Sequence, residues 1–210
     1  MIAAGGATPP PPITPEFYDY LVFDGNAGIT TSITLPTSCS IRVLLGKETQ
    51  KKSQGVFLTI NGGRIQMAYM AETTTTDRRI GVWYDSSSIV ASTNLAFSTA
   101  SFNFFMTPNG YGWGTTFKSY TKGSSHPTGA NLTFANTTSS QRYTGKMGVF
   151  RIYDSTASGC QSDSAFDNYT PIVTLRPCLY NSVPGWWYVE GDTFFGVTDG
   201  TGSVSVTNTL

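Results

Sequence analysis

The sequence predicts an all-β fold, two antiparallel sheets packed face to face. Three observations predict it. From Phe17 onward, short apolar runs alternate with clusters of Gly, Asn, Asp, Ser and Pro, the pattern of strands and tight turns. No segment sustains an apolar 3.6-residue period for three turns, so no amphipathic helix is expected. The chain has 210 residues, within the roughly 200–250 that a single all-β sandwich often occupies. A domain of that size buries enough surface to fold without disulfides or metals.

The chain opens on small residues and proline, with Pro9, Pro10, Pro11 and Pro12 in one block. Such a block favours extended polyproline geometry over any helix. Residues 1–16 are therefore expected to form an extended Pro-rich anchoring arm, and residues 17–210 the β-sandwich domain. An arm of this kind orders only where a surface holds it, and another subunit is the preferred surface.

Candidate strands follow at 20–23, 41–45, 56–60, 65–70, 80–84, 102–106, 146–153, 172–175, 186–189 and 203–206. In the fourth of these Ile65, Met67 and Tyr69 share one face, as do Ile80, Val82 and Tyr84 in the next. Turn signals between the runs are Asn61-Gly62-Gly63, Asp85-Ser86, Pro108-Asn109-Gly110, Val183-Pro184-Gly185 and Glu190-Gly191-Asp192. Strands this numerous with turns this short imply two packed sheets. The stretch 111–143 is poor in apolar runs and is expected to carry long loops, where a sandwich places binding residues. The polar tail after Asp199 suits a last edge strand or a contact arm.

Charged residues make up only 12% of the chain and the formal charge is zero, against about 25% charged in an average domain. No basic field favours nucleic acid or an anionic membrane. The polar surface must come from Thr, Ser, Asn and Gly, which suits packed assemblies and glycan contacts. No apolar run approaches the roughly 18–20 residues of a membrane helix. Met1-Ile2-Ala3-Ala4 lacks a basic start and an apolar core, so a chain made in a cytoplasm is expected. Cys39, Cys160 and Cys178 form no CxxC, which argues against structural zinc. Three reduced, partly buried thiols are preferred over one disulfide with a free thiol.

Both ends of the chain carry a family pattern. Phe23-Asp24-Gly25 with Ile29-Thr30-Thr31 resembles the opening strand pair of laminin-G/concanavalin-A-like domains. The segment 147–154 with 170–196 resembles the closing part of such domains in phage and prophage structural proteins. Pro177-Cys178, Pro184-Gly185, Trp187-Tyr188 and Thr193-Phe194-Phe195 stand at its Pro-Cys step, turn, aromatic position and last strand. Where that ending usually has Tyr-Asp after the turn, this chain has Tyr188-Val189. The middle aligns only by strand rhythm.

The resemblance implies a jelly-roll sandwich and a non-enzymatic virion surface protein of a tailed bacteriophage, a head decoration or fibre module. It further implies a homo-oligomer, a trimer being the order expected, attached to capsid or other virion proteins through the arm and in contact with host-surface glycans. The alternative is a carbohydrate-binding adhesion module, and behind it a glycan hydrolase. Hydrolases of this fold resemble one another by a Glu-x-Asp-x-x-Glu strand. Here Glu190-Gly191-Asp192 is followed by Phe195 at the second Glu position, in a hairpin context, so no catalytic residues are assigned.

Calcium sites in many such domains direct attention to Asp154, Asp163 and Asp167, in an oxygen-rich loop region; solvated loop carboxylates are the preferred reading, and no cofactor is expected. Glycan binding needs exposed aromatic planes beside neutral hydrogen-bonding groups. Tyr111 and Trp113, interleaved with glycine and followed by Thr115, are the best local match. The competing role is a Trp that plugs the end of the sandwich. Trp83, Trp186 and Trp187 lie in strand patterns and are expected in the core or at a subunit contact. His126 is the only histidine and has no neighbouring base, which argues against a serine triad or a His-based zinc site. Lys51-Lys52 and Arg78-Arg79 read as solvated turns.

Overall fold

The structure, a computed structural model, describes residues 13–36, 38–46, 54–60, 65–71, 78–83, 89–91, 101–119, 131–135 and 143–209. Pro9 to Pro12, His126, Lys51 and Lys52 lie outside them. Between 54 and 91 only the strand backbones are described, apart from Leu58 and Thr59.

Two antiparallel sheets form a jelly-roll sandwich with almost no helix. The larger sheet holds β1 (Glu16–Phe17), β2 (Tyr20–Asp24), β4 (Ser40–Leu45), β9 (Phe102–Thr107), β10 (Gly110–Trp113), β11 (Thr116–Ser119), β13 (Thr144–Tyr153), β14 (Val173–Tyr180), β15 (Val183–Tyr188), β16 (Thr193–Gly196) and β18 (Val204–Thr207). Its main path runs β11-β10-β9-β4-β13-β14-β15-β16. The smaller sheet runs β17-β3-β12-β5-β6-β7-β8, from β3 (Ala27–Thr34), β5 (Gln54–Ile60), β6 (Ile65–Ala71), β7 (Arg78–Trp83), β8 (Ile89–Ala91), β12 (Asn131–Phe134) and β17 (Asp199–Gly200).

Period-two alternation explains which face each strand buries. In β4, Ile41, Val43 and Leu45 are fully buried, while Arg42 and Leu44 are half-buried on the opposite face. β13 keeps Met147, Phe150 and Ile152 in the core although the first two are three residues apart. A register shift against β4 between Met147 and Phe150 supplies the extra residue. The two sheets meet at Phe134 of β12, whose ring lies 5.1 Å from both Phe150 and Trp186 of the larger sheet.

A second, smaller apolar cluster lies on the outer face of the larger sheet. Two 3-10 turns, Ser155–Gly159 and Ser164–Asn168, fold back there after β13. Phe166 is fully buried between Phe105 at 5.3 Å and Tyr153 at 5.0 Å.

Three sequence expectations need correction. In the stretch 111–143 the described residues 111–119 and 131–135 are mainly strand, in β10, β11 and β12, rather than loop, while 120–130 and 136–142 lie outside the described residues. Val183-Pro184-Gly185 is the start of β15, and the turn before it is Asn181-Ser182. Both of those residues take positive φ, 53° and 63°, as the two-residue hairpin requires, and Asn tolerates this better than Val or Pro. Finally, Glu16 already pairs with β14, so the sheet begins inside the expected arm.

Candidate functional site

The outer face of β4 and β13 carries a groove of about 390 Å³ lined by Arg42, Arg151, Tyr153, Phe166, Asp167, Tyr169 and Pro171. Each arginine is the one charged residue of an apolar strand segment, Ile41-Arg42-Val43-Leu44 and Phe150-Arg151-Ile152, at an outward position of the alternation. The register sets Arg151 directly opposite Arg42. Like charges so placed repel.

Arg42 has its repulsion answered. Its Nε donates to Asp163 Oδ1 at 2.6 Å and its Nη1 to Asp167 Oδ1 at 2.8 Å. Asn103 Nδ2 donates to the other Asp163 oxygen at 2.9 Å, which fixes that carboxylate. Burial works against the Arg42 charge, but its bonds to Asp163, Asp167 and Tyr153 outweigh burial and hold the guanidinium more firmly protonated than usual. Asp163 N also donates to Gly114 O at 2.7 Å, tying this corner to the β10–β11 turn. Arg151 has no ion pair among the described residues.

The groove thus presents guanidinium donors from Arg151, an exposed carboxylate edge on Asp167, and the half-buried ring of Tyr169. Buried Phe166 and Tyr153 form its floor. Donors, acceptors and an aromatic face meet in one concavity, a combination suited to a polyhydroxylated ligand.

The sequence-predicted residues are distributed differently. Tyr111 is 1% exposed in the main core, 6.3 Å from Phe104, so it offers no open ring; burial pushes its phenol pKa up. Trp113 is half-buried against the same core, and Thr115 is exposed at the β10–β11 turn. Asp163 and Asp167 share Arg42, a cation the chain supplies itself. Asp154 caps the first 3-10 turn, accepting from Thr156 N at 2.9 Å and from the Thr156 hydroxyl, and these bonds lower its pKa. Among the described residues no three His, Cys, Asp or Glu side chains converge as a metal site. Glu190 accepts from Thr174 N at 2.7 Å and pins the hairpin. Asp24 of the opening motif accepts from Asn26 N and Ser203 N, both at 2.7 Å, and so joins the first turn to the tail. Cys39, Cys160 and Cys178 are free and buried.

Sequence reasoning passed over Arg42, Arg151 and Tyr169. The signal available was a lone arginine in each of two apolar strands.

No protein-family model matches the chain, and no curated protein matches it. Among solved structures it is similar to a native heptameric SAP-like pentraxin from Limulus polyphemus, with a TM-score of 0.59 and 11% identity over 90% of this chain and 95% of that one. At that identity the likeness shows the fold alone, a concanavalin-A-like jelly roll. It gives no support to a phage origin.

Proposed function

We propose that the chain is a non-catalytic carbohydrate-binding module whose ligand sits in the Arg42–Arg151 groove. One observation carries this: Arg42 is locked by two carboxylates while Arg151, directly opposite, keeps its donors for a ligand. A sugar hydroxyl both donates and accepts, so Arg151 donates to it and Asp167 accepts from it. The Tyr169 ring supplies an apolar surface for the C–H face of a sugar. A volume of about 390 Å³ sits at the small end of ligand pockets, suited to roughly one or two sugar rings. No hydrolysis is proposed, because Asp167 is the one carboxylate lining the groove, and glycoside hydrolysis uses a pair.

The test is an array of neutral and acidic oligosaccharides probed with the full chain, followed by product analysis of every glycan bound. Binding without cleavage supports the module. Cleavage products would make it a hydrolase, and no retention of any glycan would remove the proposal.

A second reading places the module on the surface of a tailed phage particle. It is favoured by the closing motif at Pro177-Cys178 and by β1, which roots the Pro-rich arm on the sandwich edge at Glu16↔Leu179. Copy number per purified particle, by quantitative mass spectrometry against the major capsid protein, separates head decoration (many copies) from tail adhesin (few). Absence from particles would end this reading while leaving the glycan site intact.

A further inference from the structure

We propose that the outer face of the C-terminal hairpin receives the proline-rich arm of a second copy of this chain. On that face Tyr180 lies 5.4 Å from Trp187 and 5.3 Å from Phe194, ring centroid to centroid. All three rings are half-buried, and Phe17 and Val183 beside them are 38% and 45% exposed. Gly185 makes room for this layer: a Cβ there would stand 2.6 Å from the Phe194 ring and 2.3 Å from Phe195 O. Arg176 holds its guanidinium 4.0 Å over the Phe17 ring, at the edge of the patch. No hydrogen bond engages the Trp187 indole N–H or the Tyr180 hydroxyl among the described residues.

Aromatic rows with outward donors are the surface that polyproline segments recognise: prolines pack on the rings, and the free carbonyls between them accept hydrogen bonds. This chain carries such a segment in Pro9 to Pro12. Four residues of polyproline helix span about 12 Å, close to the width of three strands about 4.8 Å apart, here β14 to β16.

Register decides whose arm it is. β1 runs antiparallel to β14 with Glu16 opposite Leu179, so towards the N-terminus the chain heads past Tyr180 and the Asn181-Ser182 turn, off its own hairpin. Only Ile13, Thr14 and Pro15 separate the strand from the proline block, and consecutive prolines resist a reversal of direction. With Glu16 opposite Leu179 the described chain leads off its own hairpin, and the arm assigned to the patch is a neighbour's. Arm exchange of this kind closes as a symmetric pair or a ring.

The test is light scattering on the full chain, with and without Pro9, Pro10, Pro11 and Pro12 all changed to Ser. The wild type is expected at two or more times 22.6 kDa and the serine variant as a monomer. A synthetic peptide of residues 1–15 should bind the serine variant in a calorimetric titration, and Trp187→Ala in that background should abolish the binding with the far-ultraviolet spectrum unchanged. A monomeric wild type would overturn the exchange; if its fluorescence nonetheless changed with the serine substitutions, the occupant would be the chain's own arm. An oligomer that survives the serine substitutions, or peptide binding that survives Trp187→Ala, would also overturn it.

Discussion

Arg42 and Arg151 stand directly opposite each other on β4 and β13, and of the two only Arg42 has carboxylate partners among the described residues. The partnered arginine holds the 3-10 turns onto the sheet, and the other faces the groove.

Removing the two partners should therefore have unequal effects. The Asp163 side chain is 23% exposed and bonds both Arg42 and Asn103, whereas that of Asp167 is 65% exposed. Asp163→Ala leaves a mostly buried guanidinium short of a partner and should lower unfolding stability by about 2–3 kcal/mol. Asp167→Ala should cost about 0.5 kcal/mol. Urea titration of both variants measures the difference.

Phe166 fastens the same turns from the apolar side. Phe166→Ala removes a fully buried ring from between Phe105 and Tyr153, and should cost about 3–4 kcal/mol. Phe166→Leu should recover most of it. Equal losses in the two variants would show that ring packing is not what holds the turns.

Burial pushes the Cys39 and Cys178 thiols up to about 12, well above the ordinary thiol range. Their folded pKa lies above the unfolded one, so the neutral thiol is the native form. The stability they contribute is complete below about pH 9 and is lost as pH rises towards about 12. Denaturation midpoints across that window should fall, and less so in a Cys39→Ala, Cys178→Ala double variant. At pH 8 a thiol reagent should label these two residues only after unfolding.

Much of the fold was legible because period two is a local signal. Each run from 20–23 to 203–206 that predicts a strand overlaps an observed one, since apolar, mostly β-branched and aromatic residues mark it. β10 and β11 escape a local reading because the glycines on either side of Tyr111 and Trp113 carry turn chemistry. Gly112 is required by close approach instead: a Cβ on it would stand 2.1 Å from Thr116 O. The groove was not legible, because Arg42, Asp163 and Tyr169 come together only through the register of β4 on β13 and the fold-back after it. Of the acidic residues the sequence marks in that segment, Asp163 and Asp167 bond Arg42 of the same chain and Asp154 bonds Thr156, pairings that no local pattern announces.

The placement of Tyr111 and Trp113 has its own consequence. Tyr111→Ala opens a cavity in the main core and should cost about 3–4 kcal/mol. Trp113→Ala, at a half-buried ring packed on that core, should cost roughly half as much. Thermal melts check both.

The most direct test of the groove is calorimetric titration of the best-binding oligosaccharide into the wild type, Arg151→Ala and Trp113→Ala. Arg151→Ala should weaken binding at least about tenfold, the loss of one charge-assisted hydrogen-bonding group, with melting temperature unchanged. Trp113→Ala should bind as the wild type does at a temperature where it remains folded. Undiminished binding by Arg151→Ala together with lost binding by folded Trp113→Ala would contradict the account and move the site to the β10–β11 turn.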